Sequence, residues 1–345
     1  MRNDPSRHWT MLMPHVPGEV LTAQARMMEA AGLRGIGAPE FYGNPMVTLT
    51  HCAAATTRLQ LLSAITLASV HNPFSLAMSA LDLDRLSGGR FVLGVGPSLP
   101  EMVQGFHGLS GSGRPVARLR EAIEVVRLVI AKGHTGELGR FRGEFYEHDW
   151  TTFQGNPLPP LRPEIPIWIA AVRMGLVRLA GEVADGLTSH ALWSVRWALD
   201  EGLPTFTRAL KAAGRPRSDF HWQAAFFVAV NPDRKQAVHD AKPTIAFYAG
   251  VDSYEPYFVA HGFGAEARAC QEAVRRHDVA GAGAAAVSDE MAETFVIAGT
   301  ADECRKRLEP VWEAADSFRL VPPFQALAPE QVMGYGIALA DAFWS

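Results

Sequence analysis

The sequence predicts an α/β fold, a single (β/α)8 barrel of the TIM type. Short apolar segments of strand length alternate along the chain with segments of helical periodicity, which is the pattern of parallel βα units. Eight candidate strands can be counted in this alternation. The chain has 345 residues, of which 48% are hydrophobic and 20% charged. This length suits one large barrel or two smaller domains, so it does not choose between them.

The predicted strands are mostly apolar, and helix signals separate them. Asn44 and Asn72 each precede a proline, so each provides an N-cap followed by proline in the first turn of a helix. Thr300 and Glu303 form a capping box ahead of a later helix. The strands cover residues 9–13, 35–39, 59–66, 91–95, 167–171, 187–190, 222–230 and 318–321.

Residues 81–96, LDLDRLSGGRFVLGVG, predict a helix that feeds a buried parallel strand. Gly88 and Gly89 stop the helix, and the strand that follows begins with the apolar residues FVL. Gly94 and Gly96 lie at the carboxyl end of the strand, where the missing side chain lets a flat ligand approach the backbone. The same glycines are typical of a strand end that needs only a tight turn, so both interpretations stay open.

Two connections are longer than a minimal βα loop. Residues 132–166 follow the fourth strand and its helix, and residues 231–298 follow the seventh strand. Long insertions of this kind usually form lids or interaction surfaces. The second contains the aromatic run IAFYAGVDSYEPYF at 245–258, which predicts either a helical lid over the barrel mouth or a helix packed on the outside. We therefore expect one domain over residues 1–345, with a helical lid insertion at 231–298.

Composition and charge narrow the function classes. The formal net charge of −4 and the scatter of basic residues among acidic ones argue against a nucleic-acid partner. Cys52, Cys270 and Cys304 lack metal-ligand spacing, so we expect buried free thiols, no disulfide and no metal site. The apolar runs are too short to span a bilayer, and the amino terminus lacks an apolar signal segment. We therefore expect a cytoplasmic protein without a membrane partner.

Three ordered blocks of the sequence resemble the luciferase-like monooxygenase family. They are residues 81–96, the block PIWIAAVRMGLVRLAGEVADGLTSH at 166–190, and the pair GEFYEH at 143–148 and FVIAGTADEC at 295–304. The resemblance extends from about residue 9 to residue 321. It implies a TIM-type barrel that binds a flavin or the deazaflavin coenzyme F420. The amino-acid sequences of residues 81–96 and 170–186 are more similar to the F420-dependent branch than to the FMN-dependent one.

In a TIM barrel the active site lies at the carboxyl ends of the strands. After the fifth predicted strand, Arg173, Met174 and Gly175 lead directly into an amphipathic helix. The unpaired amides and the dipole at the start of this helix favour an anion, and Arg173 adds a positive charge. The loop therefore predicts a phosphate site, and the resemblance implies the same, because the cofactor phosphate lies near this loop in relatives. The structural alternative is that Arg173 pairs with a surface acid.

The resemblance also implies which residues contact the cofactor. Ser63 and Ala64 align with a position where F420-dependent relatives hold a non-prolyl cis peptide bond under the deazaflavin ring. Further positions that align with cofactor contacts in relatives are Glu40, Thr66, Gly96, Pro97, Ser98, Ala171, Val172, Ser189 and His190.

One position departs from the family pattern. Many relatives carry His directly after the acidic residue of the second strand, where it exchanges a proton with the substrate, but this chain has Phe41. Imidazoles and carboxylates are well suited to that role near neutral pH. We therefore predict Glu40, His15 and His190 as catalytic candidates, although a lone histidine is more often structural. Other imidazoles near the predicted mouth are His71 and His107.

Three functions remain open. The first is an F420-dependent oxidoreductase that transfers hydride between the deazaflavin and a small organic substrate. The second is an FMN-dependent monooxygenase on the same barrel. The third is a non-catalytic flavin-binding or partner barrel, suggested by Phe41 and by Met174-Gly175 where relatives often have Pro-Lys. The apolar and aromatic content favours an uncharged substrate, and the resemblance implies a homo-oligomer, a homodimer in the simplest case.

Overall fold

The computed structural model describes residues 4–12, 15–41, 43–109, 113–155 and 158–344. In these ranges the strands are β1 (His8–Met11), β2 (Gly35–Ala38), β3 (Gln60–Ser63), β4 (Thr66–Leu67), β5 (Phe91–Gly96), β6 (Arg140–Arg142), β7 (Glu147–Asp149), β8 (Ile167–Ala171), β9 (Gly186–Ser189), β10 (His221–Val230), β11 (Val296–Gly299) and β12 (Ser317–Val321). Eight parallel strands close into a barrel in the order β1, β2, β3, β5, β8, β9, β10, β12 and back to β1. The predicted (β/α)8 barrel, with insertions after its fourth and seventh strands, is confirmed.

Helices occupy the outside of the barrel and parts of both insertions. The α-helices are α1 (Gly18–Ala30), α2 (Pro45–Ala55), α3 (Pro73–Leu86), α4 (Pro100–Gly105), α5 (Pro115–Lys132), α6 (Met174–Val183), α7 (Val195–Trp197), α8 (Leu203–Ala212), α9 (Arg234–Ala249), α10 (Glu255–Ala260), α11 (Gly264–Arg275), α12 (Ala284–Ala286), α13 (Asp289–Phe295), α14 (Ala301–Trp312) and α15 (Pro329–Phe343). Short 3-10 turns cover Pro5–Arg7, Arg217–Asp219 and Asp252–Tyr254, and π-helical turns cover Ala198–Gly202 and Val279–Gly283.

Local sequence signals set several helix ends as predicted. The side chains of Asn44 and Asn72 accept hydrogen bonds from first-turn amides of α2 and α3, and the capping box of Thr300 opens α14. Gly88 and Gly89, with φ of +66° and +81°, adopt the left-handed conformation after α3. Only glycine adopts this conformation readily, so the Gly-Gly stop is a requirement of the backbone.

Each predicted strand corresponds to a barrel strand, but the boundaries differ. Met13 and Pro14, at and after the end of the first predicted strand, lie outside the described residues. The third predicted strand, residues 59–66, divides into β3, which pairs with β2, and the two-residue β4, which pairs with β5. The chain therefore bends between these two strands, at Ala64 and Ile65.

Both insertions contain strands that the sequence pattern did not reveal. The antiparallel hairpin of β6 and β7 lies in the first. The second runs from α9 to α13 and ends in β11, so the expectation of a helical insertion over residues 231–298 is wrong for residues 296–298. The physical reason is the length of β10. It pairs with β9 only through residues 221–223, which leaves the edge of residues 227–230 available to β11.

Large side chains fill the amino-terminal half of the barrel interior. A buried cluster there consists of Trp9, Leu62, Ala64, Val92 and Trp168. The rings of Trp9 and Trp168 meet edge to face with centroids 5.4 Å apart. The indole N–H of Trp9 donates a hydrogen bond to Ser317 Oγ over 3.1 Å. This half of the barrel is therefore a packed core, which leaves the carboxyl ends of the strands for a ligand.

Candidate active site

The chain leaves β3 through a non-prolyl cis peptide bond between Ala64 and Ile65. The resemblance aligned this feature with Ser63 and Ala64. The structure has it one bond later, between Ala64 and Ile65. Two hydrogen bonds hold the bulge against the end of β2. Ala64 N donates to Ala38 O over 2.8 Å, and Glu40 N donates to Ile65 O over 3.1 Å.

Gly94 and Gly96 of β5 make room for this bulge. A Cβ on Gly94 would overlap the carbonyl oxygen of Ser63, and one on Gly96 would overlap Cδ1 of Ile65. Both glycines lie within β5, so neither serves a tight turn. The close approach that requires them is between two segments of the same chain, because β3 and β4 pack directly on β5.

Glu40, directly after β2, connects two neighbouring segments. Its Oε1 accepts a hydrogen bond from His71 Nε2 over 2.7 Å, and its Oε2 accepts one from Leu67 N over 2.7 Å. The Glu40 side chain is 11% exposed and that of His71 is 31% exposed. Because both carboxylate oxygens have donors, Glu40 positions β4 and orients His71, the more accessible member of the pair.

The four predicted hydroxyl groups differ in how they are bonded. Ser63 Oγ donates to a backbone carbonyl of β5 over 2.9 Å, and Ser189 Oγ accepts from a backbone amide of β10 over 2.9 Å. Thr66 Oγ1 and Ser98 Oγ are buried and have no hydrogen-bond partner among the residues that the structure describes. Leaving a buried hydroxyl unpaired is costly, so a ligand that bonded to these two groups would remove that cost.

The other predicted contacts lie at the ends of β5 and β8. Ala171 O accepts from His190 N over 3.0 Å, and Val172 O accepts from the indole N–H of Trp193 over 2.9 Å. Ala171 and Val172 are buried, whereas Pro97 is half-buried in the loop after β5. Their backbones therefore belong to the wall of the mouth rather than to the outer surface.

The loop after β8 starts α6 as predicted. Arg173 is the N-cap residue, it is exposed, and it forms no ion pair within the described ranges. The alternative, a pairing of Arg173 with a surface acid, is thus not found there. Arg173 and the first turn of α6 line a cavity of about 300 Å³, whose lining residues are Arg173, Met174, Gly175, Trp197, Pro256 and Tyr257. The exposed wall of this cavity is almost entirely apolar, so an anionic group there would rely on the Arg173 guanidinium and the unpaired first-turn amides of α6.

His15 is exposed and lies at another cavity of the mouth. Its φ is +62°, so the backbone turns sharply there. This cavity, of about 230 Å³, lies between the ends of β1 and β2 and the start of α2, and its lining residues are Leu12, His15, Ala38, Pro39, Gly43, Asn44, Val47 and Thr48. His15 and Glu40 therefore follow adjacent strands, whereas His190 follows β9, on another side of the barrel.

His190 contacts the insertion that follows β10. Its ring centroid lies 5.0 Å from that of Tyr248 and 5.9 Å from that of Tyr254. Burial, with a smaller contribution from Arg319, lowers the pKa of His190 to about 3. Nδ1 accepts a hydrogen bond from Leu192 N over 3.1 Å, so the proton of the neutral ring lies on Nε2. His190 can thus donate a hydrogen bond to a ligand but does not act as an acid near neutral pH.

Arg319 of β12 is a charged residue of the mouth that the sequence analysis missed. Its Nη2 donates to Ser189 O over 3.2 Å, and its Nη1 lies 3.5 Å from Met11 Sδ. Its Nε is buried without a partner in the described part of the chain. The available signal was the alternation of the strand SFRLV, which places Arg319 on the same side as Ser317.

Phe41, at the position of the usual histidine, is 45% exposed. Its ring lies 6.4 Å from that of Phe106 in an edge-to-face arrangement, and Phe106 is itself 58% exposed. His107, the next residue, is also exposed. This side of the mouth therefore presents an apolar surface where relatives carry a proton-transfer residue.

Burial of the cysteines is as predicted, since Cys52, Cys270 and Cys304 are all buried. Burial raises the pKa of the Cys304 thiol to about 12, so it is a packing residue rather than a nucleophile. The described residues contain no group of three or more side chains that could hold a metal ion. Across the same residues, the helices are too short or too polar to cross a membrane.

Two solved structures have the same fold. The coenzyme F420 dependent tetrahydromethanopterin reductase from Methanopyrus kandleri gives a TM-score of 0.79 at 21% identity, over 98% of this chain and 99% of that one. The oxygenating constituent of 3,6-diketocamphane monooxygenase from Pseudomonas putida, a type II Baeyer-Villiger monooxygenase in complex with FMN, gives 0.66 at 15% identity, over 98% and 97%.

The sequence itself has relatives over nearly its full length. A Mycobacterium tuberculosis protein named "putative coenzyme F420-dependent oxidoreductase" is 33% identical over 328 residues, which cover 89% of this chain and 90% of the relative. The model of the luciferase-like monooxygenase family matches residues 3–316. The chain therefore belongs to the luciferase-like monooxygenase family.

Proposed function

We propose that this protein is an F420-dependent oxidoreductase that transfers hydride between the deazaflavin and a small organic substrate. The observation that carries the choice of cofactor is the 33% identity, over 89% of the chain, to a relative named for coenzyme F420. The geometry of the mouth supports the binding of such a cofactor at three places: the start of α6, the bulge after β3, and the surface beside α5.

The start of α6 fits the phosphate of the cofactor. Arg173 has no acidic partner in the described ranges, and the amides of Met174 and Gly175 open the helix beside the cavity of about 300 Å³. An anion bound there meets the positive end of the helix dipole and a guanidinium at once. We therefore assign Arg173, Met174 and Gly175 to the phosphate.

The bulge after β3 fits the ring system. Thr66 Oγ1 and Ser98 Oγ are buried hydroxyls without a partner in the described chain, and both lie close in sequence to the bulge or to the end of β5. Polar atoms on the edge of a deazaflavin would satisfy them. We assign the ring to Ala64, Thr66 and Ser98, with Ser63, Gly96, Pro97, Ala171, Val172 and Ser189 forming the wall behind it.

The surface beside α5 favours the longer cofactor. A Cβ on Gly175 would lie 3.6 Å from Val116 Cγ2, so the first turns of α5 and α6 are adjacent. In the first turn of α5, Arg118 donates to the Tyr146 hydroxyl over 3.1 Å and forms no ion pair within the described ranges. F420 is longer than FMN and needs basic groups at the rim beyond the phosphate, and Arg118 would provide one of them.

The remaining residues position the substrate and hold protons. A bound deazaflavin supplies the carbon that gives or accepts hydride. We propose that Glu40 holds His71 as a proton-transfer pair, that the Nε2–H of His190 orients a substrate oxygen, and that His15 contacts the substrate from the end of β1. The apolar surface of Phe41 excludes water from the reacting face.

We propose that the insertion after β10 forms a lid over one side of the mouth. Tyr248 and Tyr254 contact His190, and Ser253 Oγ donates to the Glu101 carboxylate in α4 over 3.0 Å. The aromatic run 245–258 thus connects the ends of β9 and β5 across the mouth. Its Phe258, by contrast, is buried against Phe295 with ring centroids 4.9 Å apart, so the run also packs on its own insertion.

An FMN-dependent monooxygenase is the second candidate. It is supported by the fold shared with a type II Baeyer-Villiger monooxygenase that holds FMN. The same phosphate site would serve FMN, because both cofactors carry a phosphate on the ribityl chain. The two candidates therefore differ in the ring and in the length of the tail, and a direct comparison of affinities separates them.

Titration of the purified protein with F420 and, separately, with FMN tests the proposal. We expect fluorescence quenching to show F420 binding at least about tenfold tighter, a difference of about 1.4 kcal/mol. Absorbance of the deazaflavin would then report hydride transfer with a panel of alcohols and carbonyl compounds. The opposite order of affinities would favour the FMN-dependent function, and tight F420 binding without turnover across the panel would favour the non-catalytic carrier.

A further inference from the structure

Arg319 is a cation inside the barrel mouth without a counter-ion. It lies two residues after Ser317 in β12, and Ser317 contacts Trp9 and His221 in the barrel interior, so the side chain of Arg319 faces inward as well. No carboxylate lies within 4.0 Å of its guanidinium in the described part of the chain. Its contacts are one backbone carbonyl and one thioether sulfur, and its Nε is unpaired there.

Two other half-buried arginines of this protein, Arg90 and Arg162, are compensated. The guanidinium of Arg90 donates to four backbone carbonyls and the Thr56 hydroxyl at 2.6 to 3.0 Å. Arg162 forms a two-point pair with Asp84 and also bonds to Phe91 O. Burying a charge without partners is costly. Arg319 has fewer acceptors than either of these arginines, so its guanidinium has donors left for an acceptor from outside the chain.

The side chains around Arg319 add donors and no negative charge. His190 is neutral, with its proton on Nε2, and Tyr248 keeps its hydroxyl proton because burial raises its pKa to about 12. Glu101 of α4 accepts a hydrogen bond from Ser253 Oγ over 3.0 Å. Arg319, His190 and Tyr248 are each partly exposed, so the cluster is open to the mouth. A group that only accepts hydrogen bonds fits such a cluster.

We propose that Arg319, with the Tyr248 hydroxyl, binds a carboxylate of the substrate. The inference rests on the proposed function and replaces the sequence-based expectation of an uncharged substrate with a carboxylic acid. The cofactor phosphate is already assigned to the start of α6, which follows β8, whereas Arg319 lies on β12, and β9 and β10 separate the two strands in the barrel wall. The substrate is therefore the source of the anion at Arg319.

Benzoate and benzamide are matched probes, because they share size and shape and differ in charge. Isothermal titration calorimetry would compare their affinities for the wild-type protein, with and without saturating F420. We expect benzoate to bind at least tenfold tighter than benzamide in at least one of these states. Arg319→Gln should reduce this preference to less than twofold, and Arg319→Lys should restore part of it. Arg178→Gln, which changes an exposed arginine of α6, is the control and should keep the full preference.

Two results would overturn the proposal. One is equal binding of the two probes by the wild-type protein in both states, a measurement that needs no variant. The other is a preference for benzoate that survives in folded Arg319→Gln. If that variant also loses F420 affinity tenfold, Arg319 binds the cofactor instead. Failure of the proposed function is distinguishable, because it would remove F420 binding by the wild-type protein and leave the cofactor-free comparison of the probes intact.

Discussion

The two ends of the barrel interior treat their polar side chains differently. At the amino-terminal end, Ser317 Oγ accepts from Trp9 Nε1 over 3.1 Å and lies 2.7 Å from His221 Nε2. The His221 ring stacks on Trp168 with centroids 4.6 Å apart. These polar groups bond to one another inside a layer of large rings, but Gln223 Nε2, on the β10 residue that pairs with Ser317, is buried without a partner in the described chain.

At the carboxyl-terminal end, polar groups are left without partners. Thr66 Oγ1, Ser98 Oγ and Arg319 Nε are buried and unpaired within the described residues. Paired buried groups stabilise a unique packing, while unpaired ones lower stability until a ligand satisfies them. The bonded Ser317, Trp9 and His221 of the amino-terminal end therefore serve packing, whereas the unpaired groups at the carboxyl-terminal end suit a binding site.

Removing the indole of Trp9 should give the largest effect on stability. Trp9 is 1% exposed and packs on Trp168, so Trp9→Ala should lower the free energy of unfolding by about 3–5 kcal/mol. Urea denaturation followed by circular dichroism would measure this. Phe41→Ala, at the exposed mouth, is the control and should cost less than about 1 kcal/mol. Equal losses in the two variants would remove the distinction between the two ends.

Arg173→Ala should weaken cofactor binding and leave stability unchanged. Loss of a charge-assisted contact to phosphate should raise the free energy of F420 binding by about 1.5–3 kcal/mol. Arg178→Ala, five residues further along the same helix, should bind F420 as the wild type does. Fluorescence titration and thermal melts of both variants would check this, and unchanged affinity in Arg173→Ala would show that the phosphate binds elsewhere.

Acid should destabilise the protein through its buried neutral imidazoles. Burial first, and then Arg319, lowers the pKa of His190 to about 3, below the ordinary value of 6.5. The unfolded chain therefore binds the proton more tightly, so stability is complete above pH 6.5 and falls as the pH drops from 6.5 towards 3. His190 alone should account for about 1.4 kcal/mol at pH 5.5 relative to pH 7.5.

His190→Asn isolates that contribution. Urea unfolding of the variant and of the wild type at pH 7.5 and 5.5 should show a smaller loss in the variant. His221, at the other end of the barrel, also has a pKa lowered to about 4, mainly by burial, so part of the acid sensitivity should persist in the variant. An identical pH dependence in the two proteins would mean that the folded state does not lower the pKa of His190.

Thr66→Val should have the smallest effect, and the sign should differ between two measurements. The substitution keeps the shape and removes a buried hydroxyl without a partner in the described chain, so the free energy of unfolding should stay equal or rise. The affinity for F420 should fall by about 0.5–1.5 kcal/mol, because one hydrogen bond is lost in the complex. A fall in stability with unchanged affinity would show that this hydroxyl, like that of Ser63, stabilises the fold and does not bind the cofactor.

The sequence by itself determined the features that depend on neighbouring residues. The caps at Asn44, Asn72 and Thr300 and the stop at Gly88-Gly89 involve bonds or dihedral angles within a few residues, so they follow from the local sequence. Seven of the eight barrel strands followed from runs of apolar residues that are buried on both faces, and the second, residues 35–39, followed from its position between two helices. The family resemblance added the position of the cis peptide bond to within one residue.

Tertiary structure alone decided which polar groups are paired. Glu40 and His71 are 31 residues apart, and nothing in either segment indicates the other. Gly94 and Gly96 of β5 are a similar case, since the atoms that require them belong to Ser63 at the end of β3 and to Ile65 just after it. β11 can pair with β10 only because β10 extends beyond the residues that pair with β9. The same holds for Arg319, because the sequence of β12 does not show which acceptors the closed barrel places beside its guanidinium.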